Sequence, residues 1–136
     1  MANSLFDKGR ESFLGGDLDW DTNAIKIVLV DHGVDTPVVA TDDFLDDILA
    51  GARIATSAAL AAKTKTNGVA DADDITLPAV SGASVESLVL YNDTPATEAT
   101  KHLIAFIDTA TGLPVTPSGS DITIVFDGGA NKIFKL

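Results

Sequence analysis

The sequence predicts a mainly β protein, an antiparallel β-sandwich or barrel-like domain with a short N-terminal helix or arm. Residues 102–108 and 121–127 alternate their side chains with a period of two, which directs neighbouring residues to opposite faces of a sheet. Other apolar segments recur at regular spacing with turn residues between them, as in antiparallel sandwiches and barrels. We assign residues 1–20 to the helix or arm and residues 21–136 to the β domain, within a single domain overall.

The N-terminal helix is expected over residues 4–14. Ser4 and Asp7 have the spacing of a weak capping box, and the glycine pair at 15–16 would stop the helix. One side of this helix carries Phe6 and Phe13, seven positions apart. This apolar stripe needs a surface to pack against, either on its own domain or on a neighbouring subunit, and both remain open.

The next fifty residues predict one strand, one helical turn and a short connecting segment. A strand over residues 24–30 would place Ile25, Ile27 and Leu29 on one face. Residues 38–40 are a candidate for a short strand. Residues 41–49 predict a helical turn, because Thr41 can cap it and acids suit a helix N-terminus.

Asn67-Gly68 is the strongest hairpin signal in the chain, because both residues tolerate a positive φ. It joins residues 52–66, expected as one long strand or two short ones, to a returning strand over residues 72–80. Pro78 has no N–H to donate to a ladder, so the returning strand is expected at an edge or with a bulge. The remaining strands are expected over residues 84–91, 102–108, 121–127 and 131–136.

The two patterned segments near the C-terminus have predictable faces. In residues 102–108 the expected faces are Leu103, Ala105 and Ile107 on one side, and Ile104 and Phe106 on the other. In residues 121–127 they are Ile122, Ile124 and Phe126 against Thr123 and Val125. Neither segment carries a convergent set of reactive groups, so the domain is expected to be selected for shape and stability.

Composition narrows the range of functions. The formal net charge of −11 repels phosphate backbones and disfavours nucleic-acid binding. The absence of cysteine removes disulfides, thiol catalysis and Cys-based zinc sites. The sequence has neither the apolar run of a signal peptide nor the roughly 20 apolar residues that span a bilayer. We therefore expect synthesis in a cytoplasm, with no nucleic acid and no membrane as partner.

Three groups of acidic residues are candidates for metal binding or acid–base chemistry. They are Asp17, Asp19 and Asp21; Asp42, Asp43, Asp46 and Asp47; and Asp71, Asp73 and Asp74. The first group resembles the start of a calcium loop, but Thr22 and Val28 occupy the positions where an EF-hand has Gly and Glu. The second group could supply a carboxylate pair for hydrolysis, although acids around Phe44 and Leu45 on a short turn are expected to face solvent. The third group is expected to consist of ordinary loop acids.

Two histidines and one tryptophan complete the candidates. A Ser-His-Asp triad through His32 or His102 stays open, because triads assemble through space. The chain lacks a Gly-x-Ser-x-Gly elbow and a His-Glu-x-x-His helix, so both histidines are expected to be structural or exposed. Trp20 is either a platform for stacking a sugar or a partly buried anchor where the arm meets the sheet. We assign no catalytic, cofactor-binding or metal-binding residue and expect no cofactor.

An ordered set of strings covers most of the chain and carries a resemblance to a known family. The strings include FLGGD at residues 13–17, DFLDDI at 43–48, GVADADDI at 68–75, ATGLPVTP at 110–117 and GANKIFKL at 129–136; residues 25–31, 51–53 and 103–109 also match. Together they resemble a family of small structural proteins of tailed bacteriophages, whose better-understood members look like capsid cement or decoration proteins.

The resemblance implies a β-rich subunit, without enzyme activity, on the outer surface of a virion capsid. It implies a homotrimer near the local threefold positions of the capsid, with the major capsid protein as partner. It supplies no motif for the contact with that partner. Placement on the head or elsewhere in the virion stays open. One rival is a carbohydrate- or receptor-binding β-sandwich of a phage tail or fibre, which needs an exposed aromatic such as Trp20 near acids. Another rival is a hydrolase that uses His32 or His102.

Overall fold

Residues 3–136 are described by a computed structural model, and they confirm a mainly β fold in which the paired strands are antiparallel. The strands are β1 (Ser4–Leu5), β2 (Ile25–Val30), β3 (Arg53–Thr56), β4 (Val69–Ala70), β5 (Ile75–Leu77), β6 (Ser87–Asn92), β7 (Leu103–Ile107), β8 (Ile122–Ile124) and β9 (Phe134–Lys135), and α1 (Asp7–Gly15) is the α-helix. A five-stranded sheet has the order β1-β7-β6-β2-β3, and two ribbons pair β4 with β9 and β5 with β8. This arrangement is compatible with a sandwich, and the described strands do not close into a barrel. In this part of the chain, no helix has the length and apolar character to cross a membrane.

The central sheet is buried on both faces. On one face, Ile27 and Leu90 belong to a core cluster that also contains residues of the β4–β9 and β5–β8 ribbons, and we call it the ribbon face. On the opposite face, Val28 and Val89 pack with Ile48 and other residues of segment 31–52. We call that segment the cover segment and that face the cover face. Each fully buried aliphatic side chain contributes about 1.5–3 kcal/mol, so both layers are needed to stabilise the sheet.

A β-bulge in β7 overturns the face assignment predicted for residues 102–108. Leu103 lies opposite Tyr91 and Ala105 lies opposite Leu90, so Ile104 is the extra residue between them. The extra residue resets the alternation. Leu103 therefore packs on the cover face with Phe106, while Ile104 packs with Ala105 on the ribbon face. The prediction that Leu103 shares a face with Ala105, and Ile104 with Phe106, is wrong.

The N-terminal helix begins later than the capping pattern predicts. Ser4 is paired in β1 opposite Phe106, and α1 begins at Asp7 after an extended Phe6 without a side-chain cap. The predicted glycine stop is confirmed, because Gly16 adopts a left-handed φ of 80° as the C-cap. The helix packs on β7 of its own chain, which is one of the two docking alternatives.

Gly9 allows α1 to approach the backbone of β7. A Cβ at this position would lie 2.6 Å from the carbonyl oxygen of Leu103 and 3.1 Å from the Cα of Ile104. Helix propensity alone would favour Ala over Gly by about 1 kcal/mol, so the glycine is retained where the packing forbids a side chain. The helix thereby covers a stretch of β7 next to the two-residue strand β1.

The turn at Asn67-Gly68 is confirmed, but the predicted pairing of the strands on its two sides is wrong, because β3 pairs with β2, β4 with β9 and β5 with β8. Thr64 and Asp71 exchange two backbone hydrogen bonds of 2.9 and 3.0 Å around it, and Asn67 and Gly68 have φ values of 58° and 77°. The strand before it is shorter than predicted, because only β3 forms within residues 52–66.

Several other predicted elements are shorter or absent. Residues 38–40 form a turn instead of a strand, and residues 41–49 contain a 3₁₀ turn at Leu45–Asp47 that Thr41 does not cap. The returning strand is β5, at the edge of a two-stranded ribbon as Pro78 predicted, and that proline opens the turn after it. Of residues 131–136, only β9 is a strand.

We expect Gly9→Ala to lower the free energy of unfolding by about 1–3 kcal/mol, because the methyl group must push the helix away from β7. Gly15→Ala is the matched control, since its Cβ would meet only the flexible Asp17 carboxylate at 3.3 Å. It should be neutral or slightly stabilising. Urea denaturation of both variants measures the difference, and equal unfolding midpoints would contradict the close-approach role of Gly9.

Candidate docking surfaces

The alternating aspartates before β2 hold their own loop together. The carboxylate of Asp19 accepts the backbone N–H groups of Asp21 at 2.9 Å and Thr22 at 3.4 Å, and these bonds lower its pKa. Asp21 forms an ion pair with Lys65 at 2.6 Å. Among residues 3–136, no group of three His, Asp or Glu side chains is arranged to hold a metal ion.

Two of the four acids in residues 42–47 accept hydrogen bonds from nearby backbone. Oδ2 of Asp42 accepts the N–H of Val38 at 2.8 Å, and Oδ2 of Asp47 accepts those of Asp43 and Phe44 at 2.7 and 2.9 Å. Burial raises the pKa of Asp42, and the backbone bond from Val38 only partly opposes it. These bonds fix the loop that leads into the 3₁₀ turn, and they do not aim a pair of carboxylates at a shared substrate.

Two of the acids after the hairpin tie the ribbons together. Oδ1 of Asp74 accepts the N–H of Phe126 at 2.9 Å, which extends the contact between the β5 and β8 chains. Asp71 lies 3.5 Å from the ammonium of Lys132. Both contacts join segments that are more than fifty residues apart, so their role is to hold the outer layer in place.

His32 makes a contact that the sequence did not reveal. Its Nε2 lies 2.8 Å from Oγ of Ser87, and its ring stacks on Phe106 with centroids 5.9 Å apart. Ser87 has no exposed surface, so its hydroxyl cannot reach a substrate. The pair therefore closes one end of the cover face and lacks the accessible nucleophile of a hydrolase.

His102 is also part of the packing. It forms an isolated bridge with Phe44, and the two rings lie 5.0 Å apart. Burial lowers its pKa, and the positive charge of Lys8 adds to that effect. The structure thus places the two histidines in separate contacts with different aromatic rings.

Trp20 is a core residue. It is 4% exposed, its Nε1 donates to the carbonyl oxygen of Asp71 at 3.3 Å, and its ring meets Phe134 edge-on at 5.3 Å. Stacking on a sugar requires an open ring face, and this ring has almost none. Trp20 borders a cleft of about 390 Å³, together with Phe13 and Leu136.

The strongest ionic cluster lies at the end of β6, where the sequence analysis singled out no residue. Asp93 contacts the ammonium groups of Lys26 at 2.7 Å and Lys101 at 2.6 Å. Burial would raise the pKa of Asp93, but hydrogen bonds from both lysines outweigh it and lower the pKa. Burial, with the Asp93 charge as a smaller cause, raises the pKa of Tyr91 to about 12. The charged groups of this cluster are paired with one another at the end of the sheet, so none of them is available for acid–base catalysis.

Exposed apolar side chains occur on the cover segment. Val34 is 50% exposed and Leu49 is 56% exposed, and we call these two residues the cover patch. Their loops are linked, because the N–H of Leu49 donates to Asp35 at 2.8 Å and Val34 lies beside Gly51. The inner side of the same segment packs on the sheet through Ile48 and other buried residues, so the core does not require the cover patch.

The ribbon layer has a second apolar feature, a cleft of about 930 Å³ that we call the large cleft. Its lining includes Ile107 and residues 109–113 and 121–128. Ile27, Leu29, Leu88 and Leu90, on the ribbon face of the central sheet, also line it. Val125, another lining residue, is 70% exposed. Exposed valines and leucines are therefore present on both outer layers of the molecule.

Comparison with known proteins adds no family to this picture. No protein-family model matches the chain, and no curated protein matches it significantly. The function proposed below therefore rests on the sequence resemblance together with the surfaces and contacts described above.

We expect Asp93→Asn to lower the free energy of unfolding at pH 7 by about 1–3 kcal/mol, because it leaves Lys26 and Lys101 close together without a counter-charge. The folded pKa of Asp93 is depressed, so its stabilisation is complete above the ordinary aspartate pKa of 3.8 and is lost as the pH falls through the folded pKa. The difference between wild type and variant should therefore shrink in acid.

Urea denaturation of wild type and Asp93→Asn, from pH 7 down into the acid range, measures how the difference in unfolding free energy changes. Glu11→Gln is the control, because its side chain is 71% exposed and its carboxylate pairs with Lys8 on the same helix. That change should cost at most about 0.5 kcal/mol. A penalty for Asp93→Asn that stays constant into acid would contradict the assignment.

Proposed function

We propose that this protein is a bacteriophage capsid cement protein. It binds the outer surface of the shell of major capsid protein and stabilises the head, after synthesis in the host cytoplasm. It acts by binding alone and makes or breaks no covalent bond. The trimeric state implied by the family resemblance is part of the proposal.

The observation that carries the proposal is the exposed apolar surface on both outer layers. The cover patch lies outside the cover face, and Val125 lies in the layer over the ribbon face. A cement protein must contact more than one neighbour, so it needs adhesive surface on more than one side. Each contact gains about 25 cal/mol for every Å² of apolar surface that it buries, and many copies add their contributions.

The use of the polar groups supports the same function. Asp19, Asp42, Asp47 and Asp74 accept backbone N–H groups of their loops, and Asp93 holds two lysines. A protein that works by fit needs its charged groups for folding and solubility. The net charge of −11 also disfavours adhesion to packaged DNA.

No observation favours either rival function. The carbohydrate-binding hypothesis depends on an exposed aromatic, and its candidate Trp20 is packed in the core. The hydrolase hypothesis depends on a histidine with a reachable nucleophile, and the Ser87 hydroxyl beside His32 is fully buried.

We expect Leu49→Asp to weaken binding to assembled capsid shells about tenfold or more, because it places a charge where an apolar contact would form. Leu49 is more than half exposed, so the thermal unfolding of the isolated variant should match that of wild type. Co-sedimentation of the purified protein with shells measures the binding. Shells carrying wild-type protein should also resist heating better than bare shells.

Ala130→Asp is the matched control, because it adds the same charge at an exposed turn in the C-terminal segment beyond β8. This variant should bind shells like wild type. Shells that bind no wild-type protein, or that are equally heat-resistant with and without it, would overturn the proposed function.

A further inference from the structure

β8 has one edge without a neighbouring strand in the described part of the chain, because it pairs with β5 alone. The N–H of Phe126 donates to Asp74 beside β5, so it points towards that strand. Backbone N–H groups alternate sides along a strand, which places those of Ile122 and Ile124 towards β5 as well. By the same alternation, the N–H groups of Thr123 in β8 and of Val125, directly after its last residue, should point to the open edge.

The large cleft lies beside this open edge. Ile122, Ile124 and Phe126 pack towards the core, while Thr123 and Val125 are exposed. Ile107, residues 109–113 and the apolar residues of the central sheet also line the cleft. An extended chain placed along β8 could pair with the backbone at the edge and direct alternate side chains into the cleft, as in strand addition.

The acids that flank β8, Asp121 directly before it and Asp127 three residues after it, indicate which chain would fit. Antiparallel pairing of two copies can be centred on Thr123, Ile124 or Val125 and still use both open N–H groups. In the register centred on Ile124, Asp121 of each copy lies opposite Asp127 of the other, and like charges directly opposite each other destabilise a pair of strands. In every register the net charge of −11 on each copy repels a second copy. A second copy is therefore disfavoured.

We propose that the large cleft and the open edge of β8 bind an extended segment of a different protein, which adds to β8 as a strand. Opposite Asp121 and Asp127 this segment carries Lys or Arg, six positions apart. Opposite Ile122, Ile124 and Phe126 it carries apolar residues that enter the cleft. Lys132 also lines the cleft, but its ammonium is paired with Asp71. Asp121 accepts the N–H of Ala79 through Oδ1 only, and Asp127 lies three residues after β8, so these two flanking acids set the charge preference.

The segment is defined by its chemistry, and the inference holds whether or not the partner is a capsid protein. The proposed function rests on the cover patch and on Val125 as exposed apolar surface. The strand site rests on the backbone edge of β8 and on the two acids that flank it. The two can fail separately, because one is tested with assembled shells and the other with a synthetic peptide.

The test uses the purified full chain and the peptide acetyl-Lys-Val-Thr-Val-Thr-Val-Lys-amide, titrated by NMR. Binding should protect the amide protons of Thr123 and Val125 from exchange, while that of Ile124, already directed at β5, changes little. The same peptide with Glu at both ends should bind about tenfold more weakly, because each end then faces an aspartate. Methylation of the peptide nitrogens that face β8 should abolish binding.

A pair of variants separates backbone pairing from side-chain contact. Val125→Pro removes one open-edge N–H without altering a donor directed at β5, so it should weaken peptide binding at least tenfold. Val125→Thr keeps both the N–H and the branched side chain and should bind like wild type. Thermal unfolding of both variants verifies that the domain is intact.

Three results would overturn the proposal. The first is no binding at millimolar peptide. The second is binding without protection of Thr123 and Val125, which would make the cleft a site for apolar side chains or small molecules. The third is protection of these amides that grows with protein concentration in the absence of peptide, which would make a second copy the occupant.

Discussion

Burial of the central sheet on both faces is the constraint on which the rest of the structure depends. β2 and β6 lie in the middle of the sheet and are almost wholly buried, so an apolar layer must cover each side. Many antiparallel sheets leave one face in water, and their strands alternate apolar with polar residues. Here both faces are apolar, and most of the remaining chain is used to cover them.

The covering layers consist of loops and short ribbons, which leave backbone N–H groups without regular partners. Aspartate side chains accept several of these donors at exposed positions. Clusters such as Asp42, Asp43, Asp46 and Asp47 therefore look like catalytic groups in the sequence. In the fold, Asp42 and Asp47 accept backbone N–H groups of the chain next to them.

The docking surfaces lie on the outer sides of these layers. The core determines the inner side of the cover segment through Ile48, but it places no demand on Val34 or Leu49. In the ribbon layer, the short β5–β8 pair leaves one edge of β8 open and a cleft beside it. Side chains and edges that folding does not use are the ones available to a partner.

The sequence by itself determined the β-rich class, the position of β2, the turn at Asn67-Gly68 and the helix stop at Gly16. Each of these depends on local properties: alternation of side chains, tolerance of a positive φ, or the absence of a Cβ. The absence of a complete catalytic motif was also visible in the sequence, since it depends on residue types and spacing.

Only the tertiary structure decided where the local pattern breaks and which groups meet. The bulge at Ile104 lies where β7 packs between β6, β1 and the helix, and no residue type in this segment predicts it. The contact of His32 with Ser87 and the cluster around Asp93 join residues far apart in the chain. The exposure of Leu49 and the burial of Trp20 have the same origin. Whether an apolar side chain faces water depends on which distant segments of the chain pack over it. The local sequence pattern does not specify those long-range contacts.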